Sequence, residues 1–515
     1  MQSGVLAVPE IKKLLQEHQL LQSLVIAPKA EMFTEITYDS RKAGAQTLFI
    51  CKGNFRPEYL ASAKKAGATG YVAEQYYPEG DGMTAIIVSD VQKAMALLGA
   101  AFYDYPQNEL FIIAYTGTKG KTTSSYFARG ILETATGDRT ALFSTIDRIL
   151  GPEPDQRFKS NLTTPESLDL FHDMRQAINN GMNHLVMEVS SQAYKKSRVY
   201  GLKYDIGLFL NISPDHIGKN EHPTFEDYLF CKEQLLLNSK TCVINAETAH
   251  LLDVYQTAKA SVGTENIYLY ARKDAQLSFD VPVDFEIAND FEDLKQSEFK
   301  LSAKTKKAQA LAIDGTYTIA LAGDYNEGNA ASAIIASALA GARKAVAQEA
   351  LPLVKVPGRM EMLTSKEHGT VYIDYAHNYA SLSALLKFLR QQTHAGKIRV
   401  VVGSTGDKGV SRREGFGKAL SEEADIAYLT TDDPGFEDPM QIAQEIDAHI
   451  DHERVEVIFE LDRKKATRLA IEASTAEDVV VLAGRGEDKY LKVKGEEILY
   501  PTDVELAQEI LEELE

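Results

Sequence analysis

Cysteine, positive charge and long apolar runs are all scarce in this sequence. The sequence has only three cysteines, Cys51, Cys231 and Cys242, and they lack the spacing of metal ligands. So few cysteines, odd in number, exclude a disulfide framework and predict that the protein works in a reducing cytoplasm. Lys and Arg number 55 against 74 Asp and Glu, and the net charge of −19 disfavours a general binder of nucleic acid or membrane surfaces. The apolar runs are too short to span a bilayer, and MQSGVLAVPEIKKLL lacks a signal peptide's basic start and apolar core, so we expect neither a membrane span nor secretion.

Length and composition are those of an ordinary globular protein with several domains. A chain of 515 residues, 44% apolar and 25% charged, is too long for one hydrophobic core, and we expect about three domains. Apolar runs typical of buried strands alternate with amphipathic helical stretches, which indicates an α/β fold. Several of these runs lead directly into polar or Gly-rich residues, in the segments 110–116, 184–191, 205–213, 370–378, 398–409, 425–435 and 478–488. Open parallel sheets bind ligands at such strand ends.

The first of these runs leads into TGTKGKTT, which is shorter than the general phosphate-binding loop. Fewer residues separate Gly117 from Gly120 than the general signature has. Glycines let backbone N–H groups approach phosphates, and a helix that begins here adds partial positive charge. Lys121 would reach the terminal phosphates, and the Thr122 or Thr123 hydroxyl would bind Mg²⁺. From spacing alone, a Gly-rich turn with a solvated lysine stays open.

A second feature is the helix predicted for EHPTFEDYLFCKEQLLL. Thr224 and Asp227 resemble a capping box at its start. Apolar side chains at helical spacing place Lys232 on the apolar face of this helix. A lysine there snorkels to solvent, pairs with an opposite charge or is modified, for instance by carbamylation with CO₂, which turns the amine into a carboxylate-like metal ligand. The residues alone leave these possibilities open.

Glu188 and His216 each follow a predicted strand. Together with Thr122 or Thr123 and Lys232, they could complete a Mg²⁺ site, although Mg²⁺ prefers oxygen ligands and an imidazole is less usual. Taken singly, each residue is better explained as an ordinary loop residue or a hydrogen-bonded histidine.

Together these motifs resemble the Mur ligases, ATP-dependent enzymes that join amino acids to peptidoglycan precursors. The short loop is followed in the family's order by MEVSSQ (187–192), NISPDH (211–216), YLFCKEQLL (228–236), GDYNEGNAASA (323–333), VPGRMEM (356–362) and DYAHN (374–378). The resemblance spans residues 36–490, and this agreement in order makes chance similarity untenable.

The resemblance implies an α/β architecture of three domains. Residues 1–108 would bind the UDP-linked substrate, 109–350 would form a central P-loop ATPase domain around a parallel sheet, and 351–515 would form a Rossmann-like domain that binds the amino acid. It also implies ATP, Mg²⁺ and a carbamylated Lys232. We expect a cytoplasmic monomer without nucleic-acid or membrane partners.

Within the family, YDSRK (38–42) and NLTTPESLDL (161–170) resemble the members that add the third amino acid. Their substrate is UDP-N-acetylmuramoyl-L-alanyl-D-glutamate, and the chemistry implied is phosphorylation of the D-Glu γ-carboxylate by ATP, followed by attack of an amine on the acyl phosphate. No protein nucleophile is required, which agrees with the lack of a convincing Ser/His/Asp or Cys/His set in the sequence. Catalysis would rest on positioning and charge neutralisation.

By this resemblance the candidate residues fall into groups. Catalytic roles fall to Lys121, Glu188, His216 and Lys232, and Mg²⁺ binding to Thr122, Thr123, Glu188, His216 and Lys232. ATP would contact Gly117, Thr118, Lys119, Gly120, Lys121, Thr122, Thr123, Asn326, Asn329, Arg359 and Asp374. The UDP-linked substrate would contact Ser40, Arg41, Thr163, Thr164, Ser190 and Arg198.

The amino-acid pocket departs from one pattern of the family. Members that add meso-diaminopimelate carry Asp-Asn-Pro-Arg, whose arginine binds the distal carboxylate, whereas this chain has DDPG and Gly435 takes the arginine's place. Losing the guanidinium favours a diamino acid with only a distal ammonium, most simply L-lysine. Asp432, Asp433 and Asp488 would accept its amino groups and Arg412 its α-carboxylate. A solvated acidic loop remains the simpler alternative.

Two further departures concern RGED (485–488), where the family has Lys-Gly-His-Glu, and IGKNEH (217–222), where it has Leu-Asp-x-His-Gly. Alternatives of the same chemistry are an ornithine- or meso-diaminopimelate-adding homologue and a folylpolyglutamate synthetase. Alternatives of other classes are a catalytically inactive binding homologue, which the presence of Lys121, Glu188 and Lys232 disfavours, and a P-loop kinase or GTPase, which the short loop disfavours.

Overall fold

The computed structural model describes residues 4–28, 31–215, 217–218, 221–292, 296–321, 323–393, 395–407 and 409–514. Within these ranges no helix is both long and apolar enough to cross a membrane. Contacts divide the chain into two compact units. The first contains the residues up to Ala288, Lys300–Thr316 and Gly328–Leu351, and the second contains Asn289–Phe299, Tyr317–Glu327 and the residues from Pro352 onward. The finer division into three domains stays a prediction.

The N-terminal part of the first unit is a small α/β layer. Its strands are β1 (Leu6–Ala7), β2 (Leu21–Val25), β3 (Met32–Phe33), β4 (Glu35–Thr37), β5 (Thr47–Ile50), β6 (Gly70–Ala73) and β7 (Thr84–Val88), and its helices are α1 (Val8–Glu17), α2 (Pro57–Ala66) and α3 (Val91–Phe102). The sheet order is β2-β7-β6-β5-β4, parallel from β4 to β7 and antiparallel between β7 and β2. Asp90 caps α3 by accepting the N–H groups of Gln92 and Lys93.

A larger sheet follows. Its strands are β8 (Phe111–Thr116), β9 (Thr140–Phe143), β10 (Asp147–Ile149), β11 (Arg157–Lys159), β12 (His184–Glu188), β13 (Tyr204–Phe209), β14 (Ser239–Asn245), β15 (Ile267–Arg272), β16 (Phe285–Glu292), β17 (Ser297–Ala303) and β18 (Gly315–Ile319). The helices are α4 (Lys121–Thr136), α5 (Ser167–Asn179), α6 (Ser191–Lys195), α7 (Phe225–Leu237), α8 (Leu251–Val262), α9 (Lys306–Gln309), α10 (Asp324–Leu339) and α11 (Lys344–Ala350).

The strand order of this sheet is β11-β10-β9-β12-β8-β13-β14-β15-β16-β17-β18. Strands β9, β12, β8, β13, β14, β15 and β16 are parallel in succession, and Ile113 of β8 pairs with Val186 on one side and Ile206 on the other. The chain leaves β8 toward β9 and β12 and later returns to its other side at β13. Such a switch point opens a crevice at the carboxyl end of the central strand, where the Gly-rich loop lies.

The second unit is built on another parallel sheet. Its strands are β19 (Glu361–Leu363), β20 (Thr370–Asp374), β21 (Ile398–Val402), β22 (Ile426–Leu429), β23 (Glu456–Phe459), β24 (Val479–Ala483), β25 (Tyr490–Val493) and β26 (Glu496–Leu499), with helices α12 (Tyr379–Gln392), α13 (Ser411–Glu423), α14 (Pro439–Asp447), α15 (Arg463–Glu472) and α16 (Asp503–Leu514). The order β19-β20-β24-β21-β22-β23 is parallel except for β19, and β25 and β26 form a separate hairpin. Apolar residues such as Val371, Val401 and Leu482 form its core. The predicted α/β fold with parallel sheets is confirmed.

Candidate active site

The loop between β8 and α4 is held in place by backbone geometry. Gly120 has a left-handed φ of 81°, and a side chain there would overlap the amide of Asn329. The N–H groups of Thr118 and Lys119 donate to the carbonyl (3.1 Å) and the side-chain oxygen (2.9 Å) of Asn211, just beyond β13. The loop therefore precedes α4 in a fixed shape, with the helix N-terminus at its end.

Two lysine amines converge on one carbonyl of this loop. Lys121 Nζ donates to the Gly117 carbonyl at 2.8 Å and to the Thr118 carbonyl at 3.2 Å, and Lys232 Nζ donates to the same Gly117 oxygen at 2.7 Å. Lys232 is only 2% exposed, so its predicted position on the apolar face of α7 is confirmed and the snorkelling interpretation is wrong. Burial, and secondarily the charge of Lys121, lower the pKa of Lys232 well below its usual value.

A third amine belongs to Lys119. Its Nζ is buried and has no hydrogen-bond partner among the described residues. Burial lowers the pKa of Lys119 to about 8, while the nearby charge of Asp215 opposes this shift. An amine that is buried without a partner is costly, and an anionic ligand such as a phosphate would satisfy it.

Glu188 lies fully buried at the end of β12 and receives donors from two other segments. The Thr122 hydroxyl donates to Glu188 Oε1 at 2.9 Å, and Thr145 donates its N–H to Oε1 at 2.7 Å and its hydroxyl to Oε2 at 3.0 Å. Thr122 and Thr123 are both buried in the first turn of α4, and Thr122 contacts this carboxylate. Hydroxyl and carboxylate oxygens are the donors that Mg²⁺ prefers, so these residues fit that ion. Sequence reasoning missed Thr145, which carries no motif signal, and the predicted ligand His216 lies outside the described residues.

The predicted substrate residues around β12 also come together. The Thr164 hydroxyl donates to the Glu188 carbonyl at 3.0 Å and accepts the Ser190 N–H at 3.0 Å, while Arg198 donates to the Thr164 carbonyl at 3.3 Å. The Thr163 and Thr145 hydroxyl oxygens lie 3.1 Å apart, and because Thr145 donates to Glu188, Thr163 donates in this hydrogen bond. Hydrogen bonds therefore connect these residues with one another and with Glu188.

Glu166 links this network to the N-terminal layer, which the sequence did not predict. Its carboxylate pairs with Arg198 at 3.0 Å and with Lys52 at 2.7 Å, and the Lys52 amine lies 4.3 Å from the centre of the Tyr38 ring. By contrast, the exposed side chain of Arg41 turns back on Asp39, with hydrogen bonds of 2.9 and 2.8 Å, and Ser40 begins the adjoining 3₁₀ turn.

A buried Ser–His–Asp arrangement joins α6 to α7. His222 Nδ1 lies 2.6 Å from Asp227 Oδ2, and its Nε2 lies 2.8 Å from Ser191 Oγ. Lys195 also pairs with Asp227 at 2.7 Å. Because His222 is fully buried, we interpret this set as a structural connection to the helix that carries Lys232.

In helix α10, Asn329 faces the Gly-rich loop between β8 and α4, and Asn326 lies one turn earlier. The hydroxyl of Ser124 donates to Asn329 Oδ1 at 3.3 Å, and Asn326 is 3% exposed.

In the second unit, the Asp374 carboxylate at the end of β20 accepts the Met360 N–H at 2.9 Å, and Arg359 lies 4.8 Å from the centre of the Tyr375 ring. Burial raises the pKa of Asp374, while the charge of Arg359 opposes this shift.

The acidic residues predicted to bind an amine surround a buried arginine. Arg485 NH1 lies 3.5 Å from Asp432 Oδ1 and 3.4 Å from Asp433 Oδ1, and its NH2 donates to the Asp488 carbonyl at 3.2 Å. Arg412, half-buried in the first turn of α13, donates its N–H to the Gly409 carbonyl at 2.9 Å. Sequence reasoning gave Arg485 no role, although its appearance in RGED in place of the family's Lys-Gly-His-Glu was the available signal.

Comparisons with known proteins identify the family. Residues 115–337 match the Mur ligase middle domain, and residues 358–486 match the family described as Mur ligase, glutamate ligase domain. A UDP-N-acetylmuramyl-tripeptide synthetase of Ligilactobacillus salivarius (strain UCC118) is 66% identical over 501 residues, which are 97% of this chain and 98% of that protein.

A UDP-N-acetylmuramoyl-L-alanyl-D-glutamate–L-lysine ligase of Enterococcus faecalis (strain ATCC 700802 / V583) is 49% identical over 477 residues, covering 92% of this chain and 91% of that protein. The solved structure of a UDP-N-acetylmuramoyl-L-alanyl-D-glutamate–2,6-diaminopimelate ligase superposes with a TM-score of 0.63 at 25% identity, covering 94% of this chain and 96% of that one. Because these similarities extend over nearly its whole length, the chain belongs to the Mur ligase family.

Proposed function

We propose that this Mur ligase uses ATP to join L-lysine to the D-Glu γ-carboxylate of UDP-N-acetylmuramoyl-L-alanyl-D-glutamate, a step of peptidoglycan precursor synthesis. The tripeptide synthetases and the L-lysine ligase among its relatives support the reaction class. We further infer a cytoplasmic monomer that binds neither nucleic acid nor membrane, as the sequence predicts.

The reaction needs a carboxylate to be activated beside a triphosphate. ATP transfers its γ-phosphoryl group to the D-Glu γ-carboxylate, the amine attacks the acyl phosphate, and the tetrahedral intermediate expels phosphate. The loop Gly117, Thr118, Lys119, Gly120, Lys121, Thr122 and Thr123 would hold the phosphates. Three lysine amines support this role. The amine of Lys119 is buried in the loop, and the amines of Lys121 and Lys232 both donate to the Gly117 carbonyl. A phosphate bound here would accept charge-assisted hydrogen bonds from these amines.

The remaining ATP contacts are assigned by the resemblance. Asn326 and Asn329 would face the adenine, Asp374 the ribose hydroxyls, and Arg359 the phosphates. Burial of Asp374 and the position of Asn329 against Gly120 support these assignments.

A Mg²⁺ ion would be held by Thr122, Thr123, Glu188, His216 and a carbamylated Lys232. When bound, the ion would neutralise phosphate charge. The Thr122–Glu188 hydrogen bond supports the site, since it places hydroxyl and carboxylate oxygens together. Burial lowers the pKa of Lys232 and so favours the neutral amine, which is the form that reacts with CO₂.

The UDP-linked substrate would lie on Ser40, Arg41, Thr163, Thr164, Ser190 and Arg198. Four of these six, Thr163, Thr164, Ser190 and Arg198, are connected to Glu188 through hydrogen bonds, which supports a shared binding surface. The Arg41 guanidinium pairs with Asp39 but stays exposed, so an anionic group of the substrate can also reach it.

The amino acid would be held by Arg412, Asp432, Asp433 and Asp488. The observation that carries the choice of L-lysine is Gly435: a residue without a side chain stands where members that bind a distal carboxylate have an arginine. Without that guanidinium the pocket has no bidentate partner for a second carboxylate at this point.

ADP release by the purified chain tests the proposal, with ATP, UDP-N-acetylmuramoyl-L-Ala-D-Glu and L-lysine, L-ornithine or meso-diaminopimelate in turn. We expect L-lysine to give the highest kcat/KM, and ornithine to be lower by about tenfold or more, because a single methylene separates them. The control omits the UDP-linked substrate. Preference for meso-diaminopimelate would refute the choice of amine, and ADP release with a folate and glutamate instead would refute the reaction.

A further inference from the structure

Three side chains with metal-ligand chemistry meet where helix α7 begins. His222 precedes the helix, Asp227 lies in its first turn, and Cys231 follows one turn later. One ligand atom from each residue lies within 4.8 Å of the other two. Because residues four apart share one face of a helix, Asp227 and Cys231 are directed toward the same point. The spacing of the cysteines does not reveal this set, since its other members are a histidine and an aspartate.

The cluster is shielded from solvent except at its carboxylate. His222 is fully buried and Cys231 is 6% exposed, whereas the side chain of Asp227 is 31% exposed. A small ion would therefore enter past Asp227 and meet the imidazole and the thiol behind it.

The buried thiol of Cys231 has no hydrogen-bond partner among the described residues. The thiol of Cys242, by contrast, donates to the Leu236 carbonyl at 3.7 Å. The groups that lie close to the Cys231 sulfur are a ring nitrogen and a carboxylate oxygen, which are the other two kinds of ligand that bind zinc beside thiolates. This sulfur is therefore available to coordinate a metal ion.

The hydrogen bonds of His222 suit a metal-binding histidine. Its Nδ1 lies 2.6 Å from Asp227 Oδ2, and its Nε2 lies 2.8 Å from Ser191 Oγ. When Nδ1 binds an ion that sits between the imidazole and the carboxylate, Nε2 carries the ring proton and donates to Ser191 Oγ. A hydrogen bond from the second ring nitrogen is what orients metal-binding histidines in proteins.

A positive charge already stands beside this cluster. Lys195 is exposed at the end of α6, and its amine lies 2.7 Å from Asp227 Oδ2. A divalent cation that takes the place of this amine is neutralised by two charges, that of the carboxylate and that of the thiolate formed when Cys231 loses its proton to solvent. The long side chain of Lys195 can turn into solvent when it is displaced.

We propose that His222, Asp227 and Cys231 bind a thiophilic divalent cation of the Zn²⁺ class, in exchange for the amine of Lys195. A mixed set of sulfur, nitrogen and oxygen suits Zn²⁺ and Cd²⁺, whereas Mg²⁺ prefers oxygen alone. Zinc distances in a tetrahedral site place ligand atoms about 3.4–3.8 Å apart, with water in the fourth position. The His222–Asp227 separation then lengthens, and the more distant ligand atoms approach by about 1 Å.

The ion ties the segment before α7 to the helix itself. Cys231 directly precedes Lys232, whose amine donates to the Gly117 carbonyl, so the ion restrains the part of α7 that carries Lys232. Its ligands differ from the oxygen atoms of Thr122 and Glu188 that fit Mg²⁺, and this difference allows the two ions to be told apart by spectroscopy.

Titration of the reduced protein with Cd²⁺, in the presence of saturating Mg²⁺, tests the site. A cadmium–thiolate bond has an ultraviolet charge-transfer band that a site of oxygen ligands does not produce. We expect one Cd²⁺ per chain to give this band and Zn²⁺ to suppress it by competition. Cys231→Ala should lose the band, and the matched control Cys242→Ala, at another buried cysteine, should keep it. Zn²⁺ should also raise the unfolding temperature of the wild type more than that of Cys231→Ala.

Lys195→Met tests the exchange without altering a ligand. This change removes the competing amine and its charge, so we expect Cd²⁺ to bind about tenfold more tightly or better. The matched control is Lys196→Met, at the neighbouring exposed position, which should leave the affinity within about twofold. Asp227→Asn removes the charged oxygen ligand and should weaken binding by about tenfold or more.

Each result decides a separate part of the inference. Absence of the thiolate band at saturating Cd²⁺, or its persistence in Cys231→Ala, would refute the site. An unchanged affinity in Lys195→Met would refute the exchange. If Cys231→Ala does not fold, the affinities of Lys195→Met and Asp227→Asn decide the question. None of these measurements uses the ligase reaction, so their outcome is independent of the proposed function.

Discussion

Replacing Lys232 by methionine should abolish turnover without a comparable loss of stability. The Lys232 amine is buried, and its hydrogen bond to the Gly117 carbonyl at 2.7 Å contributes about 0.5–1.5 kcal/mol. Methionine fills nearly the same volume and removes the cost of burying an amine, which opposes that loss. We therefore expect the free energy of unfolding at pH 7 to change by no more than about 1.5 kcal/mol in either direction, while ADP release disappears.

A sharper test is the pH dependence of the difference in free energy of unfolding between the wild type and Lys232→Met. The pKa of Lys232 is lowered on folding from an ordinary value of 10.5, so between the folded pKa and 10.5 the unfolded chain binds more protons. The wild type must then gain stability relative to Lys232→Met as pH rises through this window, by at most about 1.4 kcal/mol per pH unit, and the difference becomes constant above it.

Urea unfolding followed by circular dichroism, in CO₂-free buffers at pH 7, 8 and 9, measures this slope. Lys259→Met, at an exposed position of α8, is the control and should show no comparable slope. A difference between wild type and Lys232→Met that is independent of pH, or that falls as pH rises, would refute the assignment of a buried amine with a lowered pKa.

Three further substitutions test separate parts of the structure. Glu188→Gln removes the charge that its hydroxyl and amide donors approach, so we expect turnover to be lost and the free energy of unfolding to fall by about 1–3 kcal/mol in urea titrations; normal ADP release would exclude Glu188 from the reaction centre. Asp503→Asn leaves the buried Arg463 guanidinium without its ionised partner, held at 2.7 Å, and should lower that free energy by about 3–5 kcal/mol; a loss below about 1 kcal/mol would contradict the pairing. Gly406→Ala, in the loop after β21, drives a methyl group into the Pro434 carbonyl and should lower the free energy of unfolding by about 1–3 kcal/mol; an unchanged free energy of unfolding would contradict this close approach.

Features set by local pattern could be predicted from the sequence. The alternation of apolar runs and helices gives the α/β fold, and the spacing of apolar residues around Lys232 gives its burial. Thr224 caps α7, as its position before an acidic first turn predicts, and the Gly-rich loop lies between β8 and α4. Each of these depends on residues within one or two turns or strands of one another.

Features set by long-range pairing could not be predicted. Lys52 and Glu166, or Arg485 and Asp433, are far apart in the sequence, and a charged residue gives no local sign of which opposite charge it will meet. The loop after β21 is a clear case, since its close approach to the Pro434 carbonyl at Gly406 follows from packing that periodicity does not report. The motifs therefore predict candidate site residues, but the charge partners of these residues become visible only in the fold.

The central claim of this account is that ATP activates the D-glutamyl γ-carboxylate as an acyl phosphate before the amine attacks. The most direct test uses UDP-N-acetylmuramoyl-L-Ala-D-Glu labelled with ¹⁸O at both γ-carboxylate oxygens, with ATP and L-lysine, and mass spectrometry of the products. The account predicts a single labelled oxygen in the released phosphate and the other in the new amide. Release of unlabelled phosphate would contradict it.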